Sequence, residues 1–256
     1  MFPRENGVFY WAGVTQLVEC DLAKVDVAGS NPVSRSKIRL LRSQELITMN
    51  KRFVLLAVTA FSAFAQDYQL EPVTAAAPGL PAAYAAIIQS QGFRVAGPAG
   101  PWCELWFAKA IPVGAKPGDA SISFGVAQGA LLGVLRFPGK GADRRGQVIP
   151  AGIYTMRYSN FPVDGAHSGV APQRDFALLT PVANDADPAS KPAFDELMKM
   201  SVKASGTPHP AVFSLETPPS GATVPSIGKE GEHDWSLTVK VGDLTFSIIL
   251  VGKADG

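Results

Sequence analysis

Two of the three histidines in this 256-residue chain stand among carboxylates. His167 follows Asp164 in Asp164-Gly165-Ala166-His167-Ser168-Gly169, and His233 sits between Glu232 and Asp234, close to Glu230. Imidazole and carboxylate together are competent ligands for a divalent metal. Asp164, His167 and His233 are therefore the candidate metal set, provided that the fold brings the two clusters together. The spacing from Asp164 to His167 matches no established metal motif, and the plainer reading makes Asp164-Gly165 a turn with His167 bonded to the backbone. On that reading Arg174 pairs with Asp175 or Asp164 and pins the loop. Ser168 adjoins His167, but neighbours in sequence rarely present a nucleophile and a base to each other, and no Gly-x-Ser-x-Gly elbow occurs. Beyond residue 65 there is no phosphate loop, Cys-x-x-Cys pair, dinucleotide fingerprint or HExxH motif. No resident cofactor is expected apart from that possible metal.

These side chains cluster around residues 161–173, a connection longer than a simple hairpin needs, with Arg157 at one foot and Arg174-Asp175 at the other. Long ordered loops between strands are often functional. Asp164, His167, Arg157, Arg174 and Asp175 thus form the candidate site loop. A second possibility is ligand stacking on Trp102 and Trp106, which share a face of one extended segment and would make a sugar platform if that face is open. The turn Asp143-Arg144-Arg145 is the one local basic cluster and reads as a solvated turn with a local ion pair.

The elements that must position these groups are mostly strands. Residues 93–96, 102–109, 130–137, 152–158 and 174–180 are apolar or alternating runs bounded by Gly and Pro. The cleanest pattern is Trp235, Leu237, Val239 and Val241 alternating with polar residues, then a Gly242-Asp243 turn, then Leu244, Phe246, Ile248 and Leu250. Residues 81–91 open with Pro81, are alanine-rich and stop before Gly92, which predicts a short helix. A second helix is predicted with Ser190 as its cap, Pro192 in its first turn, Phe194, Leu197, Met198 and Val202 on one face, and Gly206 at its end. About seven strands, two minor helices and no βαβ alternation predict a mainly β fold, an antiparallel β-sandwich over residues 92–256 with a lead-in over 66–91.

The N-terminal part reads differently. Residues 14–32 resemble a tRNA gene translated in one frame: Thr15-Gln16-Leu17-Val18-Glu19 matches a D-arm and Gly29-Ser30-Asn31-Pro32 a T-arm, at the separation the two arms have in a tRNA. Residues 1–48 are accordingly expected to be a spurious leader, with Met49 as the working start. Residues 49–65 then carry Lys51 and Arg52, a short apolar run and Ala63-Phe64-Ala65, the pattern of an export signal cleaved between Ala65 and Gln66. The apolar run is too short to span a membrane, which needs about 20 residues, so no stable anchor is expected after cleavage. A periplasmic or extracellular location follows.

The chain beyond residue 65 would carry 15 basic and 17 acidic side chains, so the basic stripe of a nucleic-acid binder is missing. Cys103 would be its only thiol, which precludes an internal disulfide and favours a buried, inert role. The run Pro150 to Tyr158, with Asp164-Gly165-Ala166-His167-Ser168-Gly169 and Arg174-Asp175-Phe176, resembles a group of uncharacterised exported bacterial proteins. That resemblance implies a secreted β domain and no particular activity. The expected function is a non-catalytic binding or accessory module; the alternatives are a metal-dependent enzyme with its site on residues 161–173 and a carbohydrate-binding module.

Overall fold

The computed structural model describes residues 67–163 and 173–253. The leader, the export signal, its cleavage point, Asp164 and His167 lie outside the described residues. Twelve strands and two α-helices make up the described part: β1 (Gln69–Val73), α1 (Ala82–Ile87), β2 (Gly92–Gly97), β3 (Gly100–Phe107), β4 (Leu131–Phe137), β5 (Gly141–Ala142), β6 (Val148–Ile149), β7 (Gly152–Asn160), β8 (Asp175–Pro181), α2 (Phe194–Ser205), β9 (Val212–Glu216), β10 (Ser226–Glu230), β11 (Asp234–Val241) and β12 (Leu244–Val251). Ten strands join in one antiparallel sheet of order β1-β2-β3-β4-β7-β8-β9-β12-β11-β10, and β5 and β6 form a separate small ribbon. The mainly β, antiparallel expectation holds. In place of two separate facing sheets, however, the structure has one sheet curled nearly into a barrel.

The curl is visible in what touches across the interior. Phe107 of β3 meets Phe246 of β12 edge-on at 5.8 Å, although the two strands stand five places apart in the sheet. Tyr68 and Trp235 approach to 5.4 Å, and the two edge strands β1 and β10 lie against each other. Strand β9 is the joint: Val212, Phe213 and Ser214 pair with β8, whereas Leu215 and Glu216 pair with β12. Alternation decides what faces inward. Leu237, Val239 and Val241 on β11 and Leu244, Phe246, Ile248 and Leu250 on β12 are all buried in one core with Cys103, Leu105 and Phe107. Gly242 turns this hairpin at φ +59°, and Asp243 keeps a negative φ, the sign pattern of a type II′ turn.

Three expectations change. Residues 69–73, expected as a loose lead-in, form edge strand β1 paired along its length with β2. Strands β9 and β10 add to the predicted seven. Ser190 does not cap α2, which starts after Ala193 with no side-chain cap and ends at Gly206 in the left-handed conformation. Asp195 and Glu196 in the first turn of α2 complement its dipole, and Leu197 anchors it against Phe176, Leu178 and Val212 on the outer face of the sheet.

The outside of β1 to β4 carries a ladder of opposite charges directly across the register: Glu71, Arg94, Glu104 and Arg136. Glu104, 4 % exposed, accepts from Arg94 at 2.8 and 3.0 Å and from Arg136 at 2.7 Å. Burial alone would raise its carboxyl, but the hydrogen bonds from Arg136 and Arg94 prevail and hold it below the usual carboxylate range. A depressed carboxyl stabilises the fold above its unfolded value, about 4.3, and that contribution vanishes as pH falls through the lower folded value. In acid titrations of stability, Glu104→Gln should therefore flatten the decline below about pH 4. Parallel curves for the two proteins would count against this role for the ladder.

Candidate functional site

Arg157, one of the five site-loop candidates, is fully buried on β7. Its guanidinium has five N–H donors, and each finds an acceptor within 2.8 Å. Nε donates to Asp185 Oδ2 at 2.6 Å and Nη2 to Asp185 Oδ1 at 2.8 Å, a bidentate pair. Nη1 donates to the carbonyls of Gly129 and Ser190 at 2.8 and 2.7 Å, and Nη2 also to that of Asp187 at 2.8 Å. Thr155, two residues earlier on the same face of β7, adds its hydroxyl to Asp185 Oδ2 at 2.6 Å. Tyr84 of α1 donates to the Asp185 carbonyl at 2.9 Å. Burial opposes the charge on Arg157, but Asp185 outweighs it and keeps the guanidinium protonated above its ordinary range. With no donor left over, Arg157 organises backbone rather than receiving a ligand.

What it organises is a recess. A cavity of about 380 Å³ opens between α1, the ends of β3 and β4, and residues 188–191, within the size range of small-ligand pockets, about 300–1,000 Å³. Five of its twelve lining residues are alanines: Ala86, Ala108, Ala110, Ala130 and Ala189. Small side chains leave room that larger ones would fill, and Ile87, Pro112 and Leu131 supply further apolar wall. Ile87 is 37 % exposed, and Val113, next to Pro112, is 48 % exposed. Lys109 and Lys191 are the charged members of the lining, which contains no carboxylate. The nearest one in sequence, Asp187, accepts from the Ala189 N–H at 2.9 Å.

Each wall is fixed from below. The chain leaves α1 at Ile88 and bridges to Ala108, with Gln89 N–H on Phe107 O at 2.9 Å and Lys109 N–H on Ile87 O at 2.8 Å. Lys109 Nζ donates to Ala86 O at 2.7 Å, so a cation caps the free carbonyls at the helix end. The opposite wall hangs from Arg157 through Asp187 and Ser190. Gly129, next to the lining residue Ala130, has φ +75°, and a Cβ there would come within 2.5 Å of Pro192 O; glycine serves here both for its conformation and for the close approach.

The other foot of the loop is built separately, because Arg157 and Tyr158 point to opposite faces of β7. Asp175 is fully buried and accepts from Ser123 N–H at 2.6 Å, Phe124 N–H at 3.3 Å and the Tyr158 hydroxyl. Arg174 does not pair with Asp175: its Nη1 meets Asp119 at 2.5 Å, and its Nε donates to Phe161 O at 2.7 Å. These contacts close the two ends of the loop and tie them to residues 119–124.

The remaining candidates disperse. His233 is exposed, 3.7 Å from the equally exposed Glu232, and among the described residues no three His, Cys, Asp or Glu groups converge as a metal site. Trp106 is 1 % exposed and donates to Ala75 O at 2.9 Å. A register shift opposite Val95 and Ala96 turns Trp102 elsewhere, edge-on to Phe137 with its Nε1 on Leu250 O. The pair therefore offers no open stacking platform. The turn at Asp143 is not a solvated one. Asp143 is buried, accepting from the N–H groups of Arg145, Gln147 and Val212, while Arg144 pairs with Asp234 at 2.6 Å. Cys103 is fully buried, and burial pushes its thiol far above the ordinary value. No helix among the described residues is long and apolar enough to cross a membrane.

Sequence reasoning flagged Arg157 but missed Asp185, Tyr84, Gly129 and the alanine lining, none of which carries a motif. No family model, curated protein or solved structure matches the chain at a significant level.

Removing one member of a buried pair strands the other charge, at a cost of about 3–5 kcal/mol. Arg157→Met should destabilise by that amount in urea titration, and adding Asp185→Leu should restore part of it. A double variant no more stable than the single one would show that the pair is not the coupled unit.

Proposed function

We propose that this chain is an exported, non-catalytic binding module whose ligand site is the alanine-lined recess between α1 and residues 188–191. The observation that carries the reading is a ligand-sized apolar recess whose opposite walls are hydrogen-bonded to one buried ion-pair cluster. Such a recess keeps its shape without a ligand, and a preformed site loses little ordering entropy on binding. The groups around it fit holding rather than chemistry. Arg157 has every donor engaged, and among the lining residues there is no carboxylate, imidazole or thiol to act as a general base. We read the curled sheet as a two-leaved sandwich joined at β9, serving as the rigid frame. Export rests on the pattern Lys51-Arg52, apolar run, Ala63-Phe64-Ala65.

Two measurements check this. Protein recovered from outside the cytoplasm of the native host should begin at Gln66; a chain found only in the cytoplasm would refute the export reading, and one still carrying residues before Met49 would refute the start and cleavage reading. The purified chain should bind about one equivalent of N-phenyl-1-naphthylamine, a neutral apolar fluorophore. Ala110 and Ala189 are exposed lining positions, so Ala110→Trp and Ala189→Trp fill the recess without touching the core. Each should weaken the fluorophore at least about tenfold, equivalent to about 1.4 kcal/mol. Undiminished binding in both variants would place the probe elsewhere and end the pocket reading.

A further inference from the structure

We infer that the recess is built for an amphipathic anion, an apolar body with a single carboxylate or comparable anionic head, rather than for a neutral or cationic ligand. The inference rests on the pocket reading above and adds the ligand class. Its basis is the asymmetry of the lining. The walls are methyl and methylene surface from Ala86, Ile87, Ala108, Ala130 and Leu131, which would cover a hydrocarbon body and gain by the area removed from water. The two ionised side chains of the lining, Lys109 and Lys191, have the same sign and come from opposite walls, one from the end of β3 and one from the segment held by Arg157.

Lys109 uses one N–H on Ala86 O at 2.7 Å, and an ammonium has three. The contact fixes the charge at the edge of the recess while leaving donors for a head group. Lys191 is exposed and adjoins Ser190, whose carbonyl Arg157 holds at 2.7 Å. A cationic ligand would meet two like charges with no lining carboxylate to offset them, and a neutral one would leave both lysines as they are. An anionic head gains from both. Each exposed pair contributes modestly, so the expected discrimination is about tenfold, and it should shrink as salt rises because both ammoniums face solvent.

The test is displacement of bound N-phenyl-1-naphthylamine from the full chain by decanoate, decanol and decyltrimethylammonium, which share one alkyl body and differ in head charge. Decanoate should displace the probe at about one-tenth the concentration of decanol, and decyltrimethylammonium should be the weakest. Lys191→Gln should remove most of the advantage and Lys109→Gln the rest, read within each variant as the ratio of the decanol to the decanoate concentration that displaces the probe. Lys109→Arg keeps the charge and should keep the preference, which guards against a loss caused by disturbing α1. If decanol and decanoate displace the probe equally, the anion assignment is wrong while the pocket stands. Failure of the probe to bind, or binding that ignores Ala110→Trp and Ala189→Trp, removes the pocket and this inference together.

Discussion

A guanidinium taken out of water is tolerable only where every donor is met, and Arg157 is the point at which this structure satisfies that condition. Its partners come from four places in the chain: the carboxylate of Asp185, the carbonyls of Asp187 and Ser190, the carbonyl of Gly129, and, through Asp185, the hydroxyls of Tyr84 and Thr155. None of those carbonyls belongs to a sheet ladder. Buried backbone acceptors outside regular structure need side-chain or water partners, and one side chain supplies three of them. An apolar pair of equal volume could match the ion pair in net stability but could not hold irregular backbone at fixed positions. The pair is best understood as a geometric device, with α1, the turn before β4 and residues 185–190 as its dependents.

The same device recurs with buried carboxyl groups. Asp143 holds the N–H groups of Arg145, Gln147 and Val212, and so binds the β5–β6 ribbon to the start of β9. Asp175, the first residue of β8, holds the N–H groups of Ser123 and Phe124 and so binds the connection before β4 to the start of that strand. In each case backbone N–H donors take the place that the guanidinium has in the ion pair. A curled sheet needs such fixings. Its strands are satisfied by their ladders, whereas the connections at its two ends have backbone groups that the ladders cannot reach.

This division explains what could be read from the sequence. The β11–β12 hairpin was legible because alternation, a Gly-Asp turn and renewed alternation are local signals that all agree. Strand β1 was not, since Gln69-Leu70-Glu71-Pro72-Val73 is polar, contains proline and buries little at a sheet edge. Faces failed at Trp102, where a register shift against β2 broke the period of two. Ser190 suited a helix cap by type and position, but its backbone had been taken by Arg157, and tertiary bonding overrode the local preference. The ion pair was half legible: arginine in an apolar strand is conspicuous, while Asp185, 28 residues away in a stretch of Asn, Asp and Pro, is not. Alanines that line a recess leave no pattern at all, because alanine is informative only once its neighbours in space are known.

The recess and the clamp beneath it also explain each other. A surface cleft lined by alanines and a leucine should close by side-chain repacking or a small shift of its walls, since apolar surface gains by leaving water. Collapse here would require moving α1 or residues 188–191. Moving α1 breaks the Tyr84 bond and the bridge from Ile88 to Ala108. Shifting residues 188–191 withdraws the Ser190 carbonyl from a buried guanidinium, and an unmet charged donor costs more than a neutral one. Gly129 removes the last freedom, because Lys191 and Pro192 already press against it as closely as a residue without a Cβ permits. The opening therefore persists because both of its walls are committed to a buried charge whose bonding geometry allows no slack.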